Sequence, residues 1–186
     1  MFFGCVGVLI AASGFLTRVP PELSARLVPT NETSGTFVQV KRLPSGKAFE
    51  SKGVFRVRPG VDLTWRTQEP FESLFVATQA EYVYSNEDEV VTKPLKDLPG
   101  YQGLVAARKG DFSMFILAFD TLYKAEGDEF HLLSKPKLPQ LKRRLERVEI
   151  DGDATNFTMK ATLPSKTTLT VTVRDDTGGL TSGGRF

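Results

Sequence analysis

The sequence is poor in the residues that carry out chemistry. Its 186 residues hold one cysteine, one histidine and one tryptophan. A single cysteine excludes an internal disulfide framework. A single histidine excludes a His-rich metal site, and no Cys/His ligand set can be assembled. The net charge is +2, and basic residues are spread along the chain, so the electrostatic footprint of a nucleic-acid partner is missing. There is no phosphate loop and no dinucleotide fingerprint. Ser113, after Asp111 and Phe112, lacks the flanking glycines of a nucleophile elbow. Glu87, Asp88 and Glu89 lack the regular ligand spacing of a calcium loop and read as a solvated turn. His131 stands between Phe130 and Leu132 in an alternating segment, as a sheet residue with an ordinary partner. These gaps argue against an enzyme, a metal site and a bound cofactor.

Apolar patterning is what the chain does have. Phenylalanine is over-used, with 14 residues. From Gly53 to Asn86, apolar and polar residues alternate. The alternation is broken at Arg58-Pro59-Gly60, at Gln68-Glu69-Pro70 and at Gln79-Ala80. Period two with Pro/Gly punctuation predicts antiparallel strands joined by tight turns. In Val61 to Thr67, the residues Val61, Leu63, Trp65 and Thr67 share one face. Such a sheet has a greasy face and a wet face.

The same pattern predicts strands over Thr36–Leu43, Ser51–Val57 and Val90–Leu95. It continues over Leu122–Ala125, Phe130–Ser134, Leu145–Ile150, Phe157–Leu163 and Leu169–Val173. Between them the period changes. Phe112, Phe115, Ile116 and Phe119 fall at i, i+3, i+4 and i+7, one face of a helix, with Gly110-Asp111 as its N-cap. Its Phe-rich face needs an apolar surface, and the greasy face of the sheet supplies one. Roughly nine or ten strands with this helix make a sheet that curls, an open barrel with a lid.

The first sixteen residues, Met1 to Leu16, carry no charge. The run has the length of a signal-peptide core, and Ala11-Ala12-Ser13 supplies small residues at the cleavage spacing. The expected organisation is therefore a signal peptide over 1–13, a linker with a short helix over 14–35, the barrel domain over 36–176 and a flexible tail over 177–186. Lys142-Arg143-Arg144 with Arg147 is the densest basic patch. It reads as a solvated face, with an anionic headgroup or an acidic protein as the alternative.

The order of short motifs carries a family resemblance. Phe37-x-Gln39 precedes Ser51-x-Gly53-x-Phe55, then Arg58-Pro59, Leu63-x-Trp65 and Glu69-Pro70-Phe71. Gly110-Asp111-Phe112 and Gly127-Asp128-x-Phe130 follow in turn. This resembles the LolA-like periplasmic carriers of outer-membrane lipoproteins over roughly residues 35 to 175. The resemblance implies a mainly β fold: an unclosed, strongly curved antiparallel barrel with a helical lid over a hydrophobic cavity. It implies export to the periplasm and a monomer that takes an acylated lipoprotein, or another lipid, from an inner-membrane release complex to an outer-membrane receptor. Leu63 and Trp65 match cavity-wall positions. With Phe55, Phe75, Phe112, Phe115, Ile116 and Phe119 they form the expected lipid-binding cavity. Arg58 stands where the family places an arginine that gates the lid. A membrane-anchored receptor of the same fold and a periplasmic protein-binding regulator without lipid are the alternatives.

Overall fold

The computed structural model describes residues 32–59, 61–97, 118–153 and 155–176. They form one 11-stranded antiparallel sheet. The strands are β1 (Thr33–Arg42), β2 (Ala48–Arg58), β3 (Asp62–Glu69), β4 (Ser73–Ala77), β5 (Glu81–Asn86) and β6 (Val90–Pro94). After a 3-10 turn at Leu95–Asp97 come β7 (Phe119–Glu126), β8 (Glu129–Pro136), β9 (Arg147–Gly152), β10 (Asn156–Thr162) and β11 (Thr168–Asp175). A single helical turn, α1 (Pro139–Lys142), links β8 to β9.

The spatial order is β6-β5-β4-β3-β2-β1-β11-β10-β9-β8-β7. Except for β6 and β7, which stand at opposite ends of the order, each chain neighbour pairs with the next, and the one long-range join is β1 with β11. There Phe37 lies opposite Val173 and Gln39 opposite Val171. Among the described strands, β6 pairs only with β5 and β7 only with β8, so the sheet is unclosed. Strand twist accumulates over so many strands and rolls the sheet about one face.

Alternation decides which side chains take that face. Phe37, Phe55, Leu63, Phe75, Leu132, Ile150, Met159, Val171 and Val173 are all buried. Their strand neighbours on the other face include Thr36, Arg56, Arg66, Lys160, Thr172 and Arg174, all exposed. A register shift between Lys52 and Gly53 puts one extra residue, Gln68, into β3. Such a bulge bends its strand and strengthens the local twist.

Gly53 and Gly35 are among the concave-face positions that admit only glycine. A Cβ on Gly53 would sit 2.0 Å from the Arg66 carbonyl oxygen and 2.8 Å from the Phe37 ring. A Cβ on Gly35 would sit 1.9 Å from the Arg174 carbonyl oxygen and 3.0 Å from the Phe55 ring. The missing side chains let two aromatic rings lie across the backbone of the neighbouring strand.

The structure differs from the sequence reading at several elements. β1 starts at Thr33, three residues before the expected Thr36. Phe119 opens strand β7 rather than closing a helix face. Phe119, Thr121 and Tyr123 alternate with Asp120, Leu122 and Lys124, and pairing with β8 (Phe119 opposite Pro136) satisfies their backbone. The turn α1 covers Leu141, and the strand expected from Leu145 begins only at Arg147. The remainder of the expected lid helix, with Phe112, Phe115 and Ile116, lies outside the described residues. So do the expected signal segment, the N-terminal helix and the tail.

Candidate functional site

The concave face gathers its apolar side chains into two clusters. The first joins Phe37 and Phe55 to residues of β8 to β11, among them Leu132, Ile150, Met159 and Val171. Leu145, from the loop before β9, belongs to it. The second consists of Leu63, Phe75, Ala77 and Leu95. Leu95 comes from the 3-10 turn after β6 and is 1% exposed.

Val57 and Trp65 pack against both clusters. Trp65 stacks on Phe37 with ring centroids 3.9 Å apart and planes inclined by 24°. Its ring lies 6.3 Å from that of Phe55. The register explains the meeting point: Phe55 is opposite Trp65, Trp65 is opposite Phe75, and Val57 is opposite Leu63. The sole tryptophan is thus only partly buried, at the seam between two apolar bodies.

Of the expected cavity residues, Phe55 belongs to the first cluster, Leu63 and Phe75 to the second, and Trp65 to the seam. Phe119 packs on the first cluster. Phe37, Val57 and Leu95 are part of the same surface and were not among the expected site residues. Phe37 had a visible signal, since it shares a parity with Gly35 and Gln39. Leu95 had none, because it lies beyond the last residue of a strand.

Arg58 ends β2 at the Pro59 turn. Its Nε donates to Asp62 Oδ1 at 3.0 Å, and its Nη2 donates to Asp62 Oδ2. The turn is closed by Val61 N donating to the Arg58 carbonyl oxygen at 2.9 Å. This two-pronged fork fits the planar guanidinium. The hydrogen bond to Asp62 raises the Arg58 pKa above its ordinary value. Asp62 is buried while Arg58 keeps part of its surface in solvent. The arginine therefore clamps its own hairpin.

An open cleft of about 780 Å³ lies at the same end of the sheet, between the β7–β8 and β9–β10 turns. Phe130, Gly152 and Phe157 bring the concave apolar face to it, and Lys124, Glu126, Glu129, His131, Asp151 and Asp153 form its polar rim. His131 Nδ1 lies 2.5 Å from Asp151 Oδ1, directly across β8 and β9. Asp153 accepts from the backbone N–H groups of Thr155 and Asn156 at 2.7 and 2.8 Å. Those bonds lower its pKa below the ordinary carboxylate range. Lys142, the last residue of α1, and Arg143 and Arg144 after it are exposed at the opposite end.

No family model matches the chain, and no curated protein matches it. Solved structures are similar to it over nearly their whole length. One is a LolA superfamily protein from Nitrosomonas europaea, at 7% identity and TM-score 0.42, covering 94% of this chain and 93% of that one. A second is a domain from Vibrio parahaemolyticus named for outer membrane lipoprotein sorting, at 11% identity and TM-score 0.40, covering 94% of each chain. A third is a DUF1329 family protein from Desulfovibrio piger, at 10% identity and TM-score 0.31, covering 96% of this chain and 95% of that one. At these identities the likeness concerns the fold alone.

Proposed function

We propose that this protein is a periplasmic carrier that holds the acyl chains of a lipoprotein, or of another lipid, against its concave face and moves them toward the outer membrane. One observation carries the reading. The concave face carries apolar side chains from β4 across the sheet to β8, yet they form two clusters that touch through the partly buried Trp65 and Val57. Parting them at that seam exposes two apolar walls to an inserted chain without breaking either body. The aromatic rings at the seam offer broad, slot-like contact.

The energetics favour partial enclosure. Each buried CH₂ is worth about 0.8 kcal/mol, so a fully enclosed chain of ~16 carbons gains on the order of 12 kcal/mol. A carrier must release its cargo, so part of that gain is offset by the cost of separating Trp65 from Phe37. Arg58 is the release element in this reading. Any lid contact it makes has to compete with its fork to Asp62. A binding role fits a face whose described side chains are mostly apolar.

The sole tryptophan reports on the seam directly. Titration with a 16-carbon acyl ligand should change Trp65 emission saturably. Arg58→Leu should leave the spectrum of the free protein unchanged and alter the rate of ligand release. Unchanged emission at saturating ligand, or release indistinguishable from the parent, contradicts the corresponding part of the proposal.

A further inference from the structure

The concave face is not apolar throughout. On β1, Gln39 follows Phe37 on the same side, opposite Ser51 of β2 and Val171 of β11. One row back, Phe37, Gly53, Thr67 and Ser73 lie side by side across β1 to β4. Gln39, Ser51, Thr67 and Ser73 therefore make a neutral polar shelf along one border of the aromatic seam. The β3 bulge falls next to it, between the rows of Ser51 and Gly53. The next row outward holds the first charge on this border, Lys41, opposite Phe49.

The shelf contains an unmet demand. The Gln39 amide nitrogen donates to Ser51 Oγ at 3.5 Å, a long bond. The Gln39 Oε1 atom is buried and has no hydrogen-bond partner among the described residues. A buried carbonyl oxygen without a donor is costly and uncommon in a folded protein. It is accounted for if a bound molecule supplies the donor.

We infer that this shelf is a headgroup subsite, which reads an uncharged head carrying an N–H or O–H donor beside an acyl chain. An N-acyl amide or an acylglycerol has that chemistry. Its donor meets Gln39 Oε1, and the hydroxyls of Ser51, Thr67 and Ser73 can donate to its carbonyl oxygens. A phosphate head finds no cation in the shelf. A methyl ester brings acceptors alone and leaves Gln39 unmet. The inference rests on the carrier reading, because it places the chain of the same ligand at the Trp65 seam.

The test is a competition series on the full chain with four 16-carbon ligands: an N-acyl glycinamide, a monoacylglycerol, the methyl ester and a lysophosphatidylcholine. The parent should bind the amide and the glycerol ester about tenfold tighter than the methyl ester, the worth of one hydrogen bond. Gln39→Met, close in volume, should remove that preference and leave methyl-ester affinity unchanged. Thr67→Val is the second variant and should reduce the preference by a smaller factor. If none of the four ligands binds, the carrier reading fails and takes the subsite with it. If all bind equally, if the phosphate head binds best, or if Gln39→Met retains the preference, the subsite is wrong while the carrier reading stands.

Discussion

Gly53 and Asp153 show how single residues hold this sheet in shape. At Gly53 a methyl group would meet the Arg66 carbonyl at 2.0 Å, a backbone atom that cannot rotate away. Gly53→Ala should cost about 3 kcal/mol or more, because the strand itself has to move. Gly46, at φ +86° in the β1–β2 turn with nothing near its Cβ position, is a control. Gly46→Ala should cost about 1 kcal/mol, from conformation alone. Chemical denaturation of both variants measures the difference.

At Asp153 the sign follows from its bonds to Thr155 and Asn156, which favour the carboxylate and lower the folded pKa. A depressed folded pKa contributes stability above the unfolded value and loses it as pH falls through the folded one. Asp153→Asn should therefore flatten the loss of stability below about pH 4 and leave its slope near neutrality alone. An unchanged acid limb would contradict this.

The residue scale was only partly legible in the sequence. Arg58 was visible as a charge before a Pro-Gly turn, but Asp62 four positions on was read as one of the alternating polar residues. Only the hairpin geometry turns that pair into a fork.

At the scale of elements, alternation was a good guide to strands and a poor guide to their ends. Leu132 and Leu122 illustrate what it encodes. They lie on neighbouring strands, on opposite faces, at 0% and 70% exposure. Leu132→Ala should cost about 2–5 kcal/mol. Leu122→Ala should stay within about 0.5 kcal/mol. Equal losses in thermal or denaturant unfolding would mean the register of the β7–β8 hairpin is wrong.

The pattern failed where two periods overlap. Phe115, Ile116 and Phe119 have helical spacing, while Phe119, Thr121 and Tyr123 have strand spacing, so Phe119 fits both. Pairing with Pro136 on β8 decides for the strand, and no local signal contains that partner. The join of β1 to β11 is illegible for the same reason. Phe37 and Val173 stand opposite each other although most of the chain separates them. Leu95 and Leu145, read as the last residue of one strand and the first of another, entered the core from a 3-10 turn and a loop, because a single apolar residue outside a periodic run has no pattern to betray it.

For the whole molecule, the greasy face predicted from alternation exists and runs across an unclosed sheet. The seam at Trp65 and the shelf at Gln39 were beyond the sequence, because each depends on register between strands rather than on order within one. Together they divide the concave face into two apolar walls and a polar border, a layout suited to a ligand with a chain and a head.

The most direct test is native mass spectrometry of the protein purified without detergent, after incubation with an acylated lipoprotein and with lipid vesicles. The account predicts a retained mass matching an acylated peptide or a lipid in the parent, reduced in Trp65→Asp, which puts a charge into the seam. A parent that remains free of bound mass after both incubations would contradict the carrier reading. The concave face would then be a core that covers only itself.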